Sequence, residues 1–334
     1  TSLFIFTMPD RVNADSLFHM DESEATKERQ FTIAQRALKV RKIGTDLIIV
    51  AGGQFIHPIK AVIGGVTSGI TREIAEPMLK DLKEMLPMAC ELVDEYWEMS
   101  IAMRERIGTW GDDAPTYYLA STEATRPRFN SSRLRVMGPE GSERASFAPS
   151  QYQTYLDFED MDYSYAGQTS YQGEIMRANS LARANLTASM GTPLADEFLS
   201  RLTHTFGKPA HAILLFDLCR GIELVYAMER AIEMLSEDMD YMDTDVPYKP
   251  RDGVGYGLVE APRGPLIHRY VIENGKIAEA EFIIPTVHNM LAIERALKVA
   301  GRRYLTKDSI NMELEKAVGR VVRAFDPCIA CATQ

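Results

Sequence analysis

The sequence is poor in cysteine and tryptophan and has no long apolar run. It contains four cysteines and two tryptophans in 334 residues. So few cysteines argue against the disulfide framework of a small secreted protein. The longest apolar stretches, Leu47–Val50 and Ala212–Phe216, are far shorter than the ~20 residues that a membrane-spanning helix needs. These features exclude a disulfide-dense class and predict a chain without a membrane span.

Basic residues are also in the minority. The chain has 37 Lys and Arg against 47 Asp and Glu, a net charge of -10 at pH 7. An acidic chain without a basic run repels phosphate backbones, so we expect no nucleic-acid partner. Its 46% hydrophobic and 25% charged residues are typical of a globular protein. Its length corresponds to about two domains or to one large domain.

Apolar residues recur at helical spacing in several long segments and alternate in only a few short ones. The helical segments are 22–43, 71–106, 193–236 (as two helices), 288–300 and 308–324. Strand-like stretches lie at Gly257–Ala261, Leu266–Ile272 and Ile277–Ile284, with Asn274-Gly275 as a hairpin turn. The segment 107–180 is predicted to be irregular or short-stranded, as an insertion or a partner-facing region. We therefore predict an α+β fold that is predominantly α, a central bundle of long helices with small β-hairpin or sheet elements.

The most informative motif is the Cys-x-x-Cys pair of Cys328 and Cys331. Structural zinc takes four nitrogen or sulfur ligands, whereas Cys90 and Cys219 are isolated in helix-like segments, where we expect buried small hydrophobes. A thioredoxin-like dithiol precedes a helix, and too few residues follow the pair for one. A thiolate clamp for a soft metal and an inert pair both stay open.

Two strand ends carry further candidate residues. Arg263 lies between Pro262 and Gly264, where its planar guanidinium could face an anionic or hydrogen-bond-accepting ligand; the alternative is a surface arginine. Thr286 follows Pro285 and could donate one hydrogen bond to a bound group, or it caps a helix. The histidines at positions 57, 211, 268 and 288 are predicted to be structural.

Taken together and in this order, the motifs resemble the catalytic large subunit of [NiFe] hydrogenases, especially its cytoplasmic, cofactor-coupled groups. The resemblance covers nearly the whole chain and implies one large catalytic-subunit domain over 1–334 with the fold of that family. The matching segments are Gly52–Pro58 with Gly64-Gly65, Asn179–Asn185, Ser189–Pro193, Glu260–Leu266, Ile283–Thr286 and Asp326–Cys331.

The resemblance implies a Ni–Fe centre whose iron carries CO and two cyanides, and hence reversible heterolytic cleavage of H2. Cys328 would be a terminal nickel ligand, and Cys331 would bridge nickel and iron. Arg263 and Thr286 would donate hydrogen bonds to the cyanides, and Arg263 would also face the open metal position. The acidic residues that match those holding this arginine are Asp10 and Asp326. The other residues that would surround the cofactor, mainly as an apolar pocket, are Ala261, Pro262, Leu266, Ile284 and Pro285.

The chain departs from the family pattern in two places. The N-terminal Cys-x-x-Cys that supplies the other two thiolates is absent. Because the chain starts without Met and with the apolar segment Leu3–Phe6, we expect an upstream segment, in the same gene or on a separate peptide, to supply that motif and an acidic Mg ligand. A His that binds Mg in the family is replaced by Gln334, whose amide oxygen suits Mg. The main-chain carbonyl of Phe282 would be a second Mg ligand.

The resemblance also predicts partners and a cytoplasmic location. Four cysteines are too few for both the nickel site and iron–sulfur clusters, so electrons would leave through an iron–sulfur small subunit. Further electron-transfer subunits would be linked to NAD(P), a deazaflavin or a heterodisulfide reductase. The main alternative is a non-catalytic, hydrogenase-like subunit of a quinone-linked, Complex I-type assembly, although Cys328, Cys331 and Arg263 argue against it. A zinc- or disulfide-using scaffold is a third, remote reading.

Overall fold

Helices make up the larger part of the regular secondary structure that the structure describes. A computed structural model describes residues 2–14, 24–123, 126–127, 129, 132–237, 244–306 and 310–332. Its helices are α1 (Glu24–Gly52), α2 (Arg72–Ala102), α3 (Arg104–Ile107), α4 (Tyr152–Tyr155), α5 (Ser180–Leu186), α6 (Pro193–Phe206), α7 (Phe216–Ser236), α8 (Met290–Tyr304), α9 (Met312–Phe325) and α10 (Ile329–Ala332). Together with small sheets, these helices confirm the predicted α+β class. None of the helices in the described ranges is long and apolar enough to cross a membrane.

The chain divides into two compact units, 1–99 with 221–251 and 100–220 with 252–334. The first unit is built on α1, most of α2 and the larger part of α7. It also contains a π-helical turn, Ser2–Thr7, in which Phe4 is buried and meets Tyr96 edge-on. Pro77 and Pro87 were predicted to kink a helix or start one, and both lie inside α2. A single catalytic-subunit domain over 1–334 stays a prediction.

The second unit holds most of the β structure. Its strands are β3 (Tyr117–Glu123), β4 (Arg126–Pro127), β5 (Leu134–Met137), β6 (Glu143–Phe147), β7 (Leu156–Met161), β8 (Ser164–Tyr171), β9 (Met176–Arg177), β10 (Gly253–Ala261), β11 (Gly264–Glu273) and β12 (Lys276–Ile283); the short pair β1 (Ala61–Val62) and β2 (Gly65–Val66) belongs to the first unit. The segment 107–180 is therefore short-stranded, which is one of the two predicted forms.

Two sheets of the second unit matter for the site. Strands β10, β11 and β12 pair in sequence order, and the predicted Asn274-Gly275 turn joins the last two, with positive φ at both residues. The other sheet has the order β4-β3-β5-β6, with β9 parallel to β3. The fully buried side chains that pack between these sheets include Leu119, Val136, Phe147, Ala178, Ile267 and Ile283. This shared core places Ala178, which follows β9, against the β10–β11 hairpin.

Candidate functional site

The sequence-predicted residue Arg263 lies at the tip of a tight hairpin. Ala261 pairs with Gly264, so Pro262 and Arg263 alone form the turn between β10 and β11. Gly264 has φ +134°, and a Cβ atom there would lie 2.8 Å from both the Cβ atom and the carbonyl oxygen of Ala178. Only glycine suits this backbone and this close approach. The turn is therefore held rigidly at a defined place.

Asp326 binds the guanidinium of Arg263. Arg263 Nε donates to the main-chain oxygen of Asp326, and one terminal nitrogen of Arg263 donates to Asp326 Oδ2 at 2.7 Å. Asp326 ends α9 in the left-handed region, with φ 48°, so its carbonyl and carboxylate both face the arginine. The two side chains are 30% and 37% exposed, so a small ligand can reach this ion pair.

Cys328 and Cys331 lie two and five residues beyond Asp326. Their Cα atoms are 5.3 Å apart, and their sulfurs form a disulfide, which is the oxidised form of the dithiol. The main-chain N–H of Cys328 donates to Thr286 Oγ1 at 3.2 Å. The structure thus brings Arg263, Asp326, the cysteine pair and Thr286 together, and the roles that the resemblance implies for them stay predictions.

Two sulfurs at one point form a soft donor set that fits nickel or iron once both are reduced to thiolates. They form half of the set of four thiolates that the resemblance implies. Within the described ranges no group of three or more His, Cys, Asp or Glu side chains could hold a metal. Cys219 is buried, as predicted, and Cys90 is partly buried.

The remaining predicted site residues are distributed as follows. Around the Arg263 turn, Pro262 is exposed, whereas Ala261, Leu266 and Ile284 are partly buried and Pro285 is buried. Phe282 lies in β12 opposite His268, and their rings meet edge-on with centroids 4.7 Å apart. Asp10 is buried in the one-turn helix Pro9–Val12 of the first unit, and its pairing with Arg263 stays a prediction. Gln334 lies outside the described residues.

The site also contains an ion pair that sequence reasoning assigned no role. Arg183 and Glu260 are buried to 1% and 0% side-chain exposure and meet at 2.6 Å. Arg183 also donates to the main-chain oxygens of Ala261 (3.0 Å) and Pro262 (2.8 Å), while Glu260 Oε2 accepts from the N–H of Ser121. The pair therefore holds the start of the Arg263 turn. Both residues lie within family-like segments, but their charges gave no indication that they would meet.

Two neighbouring residues that follow Thr286, His288 and Asn289, bond main-chain oxygens in and just after the Arg263 turn. His288 Nε2 bonds to the main-chain oxygen of Pro265 at 3.1 Å, and its Nδ1 bonds to Thr169 Oγ1 at 2.9 Å. Because a carbonyl oxygen only accepts, Nε2 carries the proton and Nδ1 accepts from the threonine hydroxyl. Complete burial lowers the pKa of His288 to about 4, so the ring is neutral at pH 7. The structural role predicted for this histidine is confirmed.

Asn289 is the second of these residues. Its amide nitrogen donates to the main-chain oxygen of Arg263 at 2.9 Å. Pro262, Pro265 and Pro285 have no N–H, so this region has few backbone donors for its own carbonyl groups. The side chains of Arg183, His288 and Asn289 donate hydrogen bonds to these carbonyl groups instead. Sequence reasoning missed Asn289 because an Asn before a helix is typical of a cap.

The chain is similar to several known proteins. The model of the nickel-dependent hydrogenase family matches residues 122–334. An F420-non-reducing hydrogenase vhu subunit from Methanocaldococcus jannaschii is 34% identical over 278 residues, covering 81% of this chain and 66% of the relative. The alpha subunit of sulfhydrogenase 1 from Pyrococcus furiosus is 27% identical, covering 99% of this chain and 73% of the relative. The chain thus spans about two thirds of the length of its methanogen relatives.

Solved structures show the same fold. A crystal structure of an NAD+-reducing [NiFe]-hydrogenase in the H2-reduced state has a TM-score of 0.90 at 22% identity, covering 100% of this chain and 76% of that one. The [NiFeSe] hydrogenase of Desulfovibrio vulgaris Hildenborough has a TM-score of 0.66 at 18% identity, covering 94% and 72%. The family match over more than half of the residues, with a relative at 34% identity, shows that the chain belongs to the nickel-dependent hydrogenase family.

Proposed function

We propose that this chain is the catalytic subunit of a [NiFe] hydrogenase that cleaves H2 heterolytically and reversibly. The observation that carries the proposal is the connected site: Asp326 holds Arg263, and the main chain of Cys328 bonds Thr286. The same short segment thereby presents a guanidinium, a hydroxyl and two sulfurs together. Family membership supports this function over a quinone-linked structural subunit.

By the family resemblance, the thiolates of Cys328 and Cys331 would hold the metal centre, Cys328 as a ligand of nickel alone and Cys331 as a ligand of both nickel and iron. When bound, a Ni–Fe centre with CO and cyanide on iron supplies the Lewis acidity and the two-electron chemistry for H2 cleavage. Arg263 and Thr286 would donate hydrogen bonds to the cyanides. Ala261, Pro262, Leu266, Ile284 and Pro285 restrict water around the diatomic ligands.

Arg263 is also the residue that we place over the open metal position. Its Nε and one terminal nitrogen are committed to Asp326, so the guanidinium plane is fixed by two bonds before substrate arrives. The second terminal nitrogen takes no partner among the described residues and is the donor that can face a ligand. The proton from H2 would pass to a thiolate Sγ of the cysteine pair, because the guanidinium of Arg263 is already protonated and has no acceptor atom. We propose that Asp10 adds a second acidic contact to this arginine.

The finer assignments concern magnesium, partners and location. We propose Mg binding by the main-chain oxygen of Phe282 and the amide of Gln334. We also propose that the immediate electron acceptor is an iron–sulfur small subunit, followed by subunits linked to NAD(P), a deazaflavin or a heterodisulfide reductase. A cytoplasmic location rests on the likeness of Asn179–Pro193 to the cytoplasmic groups.

The test is metal analysis and infrared spectroscopy of the purified native assembly. We expect nickel and iron, infrared bands of iron-bound CO and cyanide, and H2-dependent dye reduction. Cys328→Ser and Cys331→Ser should lose nickel, while Cys219→Ser, a buried cysteine outside the site, should retain it. An assembly without nickel and without CO or cyanide bands would refute the proposal, as would full nickel content in both terminal-cysteine variants.

A further inference from the structure

One buried amide connects the two motifs that carry Arg263 and Thr286. Asn289 ends the single 3-10 turn Val287–Asn289 and is 3% exposed. Its Oδ1 accepts from the N–H of Ala178 at 2.9 Å, and its Nδ2 donates to the oxygen of Ala178 at 2.8 Å. The same Nδ2 donates to the oxygens of Arg263 at 2.9 Å and Pro285 at 3.2 Å. One side chain therefore bonds three separate segments of the chain.

We propose that Asn289 is a positioning residue that sets the spacing between the Arg263 turn and the Pro285-Thr286 strand end. Arg263 and Thr286 approach the site from these two segments: Arg263 binds Asp326, and Thr286 accepts from the N–H of Cys328. Fixing both main chains to one amide fixes where the guanidinium and the hydroxyl point. This proposal rests on the proposed function, in which those two groups donate to cyanides on iron.

The chemistry of the amide explains why asparagine is required. An Asn side chain has two N–H protons and one carbonyl oxygen, so it can donate to carbonyls and accept from an N–H at the same time. The three carbonyl oxygens share two protons, with the longest bond going to Pro285. Aspartate has a similar shape but no donor, so it would leave those oxygens unpaired and face them with a charge. Serine is too short to span the segments.

The chain offers a matched control in Asn185. This residue is 5% exposed, and its amide bonds the oxygen and the N–H of Ala210 at 2.8 and 3.0 Å. These two bonds match the pair between Asn289 and Ala178. Among the described residues, however, Asn185 has no bond to the Arg263 turn or to the Pro285-Thr286 strand end. A change at Asn185 thus tests the cost of losing a buried amide without moving the site.

The experiment compares Asn289→Asp, Asn289→Ser and Asn185→Asp in the native assembly. Nickel and iron content, the infrared bands of iron-bound CO and cyanide, and H2 oxidation are measured on each. We expect the Asn289 variants to hold metal, to show shifted cyanide bands, and to lose about tenfold to a hundredfold in H2 oxidation, because small displacements of catalytic groups are costly. Asn185→Asp should keep the wild-type band positions.

The outcomes separate this proposal from the proposed function. A wild-type assembly without CO and cyanide bands refutes the function itself. Wild-type bands in either metal-loaded Asn289 variant, or equal shifts in Asn185→Asp, overturn the positioning role. If neither Asn289 variant holds metal while Asn185→Asp does, Asn289 acts in assembly of the centre, and the positioning role is also overturned.

Discussion

Arg263 donates to both the main-chain oxygen and the carboxylate of Asp326, so two different parts of one residue hold one guanidinium. The two residues are 63 positions apart in sequence. The first contact depends on the left-handed backbone at Asp326, and the second depends on its side chain. These two contributions can be separated by substitution.

Replacing Arg263 with Lys keeps the positive charge but removes the planar fork. We expect near-normal nickel and iron and a loss in H2 oxidation of at least about a hundredfold, or roughly 2.7 kcal/mol of barrier. Arg220→Lys is the control, because Arg220 also bonds one carboxylate, of Asp217, and one carbonyl, of Ala324, both at 2.6 Å. Unchanged turnover of metal-loaded Arg263→Lys would reject the assigned role.

At Asp326, glycine and alanine should have different effects. Both Asp326→Gly and Asp326→Ala remove the carboxylate, but glycine adopts the left-handed backbone without the roughly 1 kcal/mol that a Cβ costs there. We expect both variants to lose H2 oxidation, and we expect the alanine variant to be less stable to heat than the glycine variant. Wild-type turnover in Asp326→Gly would show that the carboxylate does not hold Arg263 in its working position.

The pair of Arg183 and Glu260 should be far more sensitive than a surface pair. Glu260→Ala leaves a buried guanidinium without its carboxylate, which costs about 3–5 kcal/mol. Glu279→Ala breaks the exposed pair with Arg269, which is 2.9 Å long, and should cost at most about 1 kcal/mol. Urea denaturation of the two variants measures the difference, and equal costs would contradict the buried-pair argument.

His288 should make stability depend on pH. Burial lowers its folded-state pKa from 6.5 to about 4, so between these values the unfolded chain binds more protons and stability falls as the pH drops. The expected loss from pH 7 to pH 5 is about 2 kcal/mol. Burial also lowers the pKa of His211 and His268.

Replacing His288 with Gln isolates its share of this effect. Glutamine can still accept from Thr169 and donate to the oxygen of Pro265, but it does not titrate. Melting temperatures at pH 7 and pH 5 should therefore differ less for His288→Gln than for the wild type. The same pH dependence in both proteins would remove His288 as its cause.

Local patterns predicted local structure well. Alternation and the Asn274-Gly275 turn predicted the β11–β12 hairpin, and helical spacing predicted the long helices. Pro77 and Pro87 lie inside α2 rather than at a helix start, and the kink that they predict there stays a prediction. Arg263, Thr286 and the cysteine pair were placed together by resemblance rather than by pattern.

The buried residues that hold the site in place could not be predicted from local patterns. Asn289 reaches Ala178 across 111 positions, and Arg183 reaches Glu260 across 77. Periodicity indicates which face of an element is buried, but it does not indicate which distant group a buried polar side chain will bond. An Arg in an apolar helical segment indicates that it has a buried partner, but it does not indicate which residue that partner is.

The contact between Gly264 and Ala178 constrains how this region can change in evolution. A side chain at position 264 would overlap the methyl group and carbonyl oxygen at position 178, and a larger side chain at 178 would press on the same turn. The two positions are 86 residues apart in sequence, yet neither can take a larger side chain without displacing the Arg263 turn. Across the family, position 264 should therefore stay glycine and position 178 should stay small.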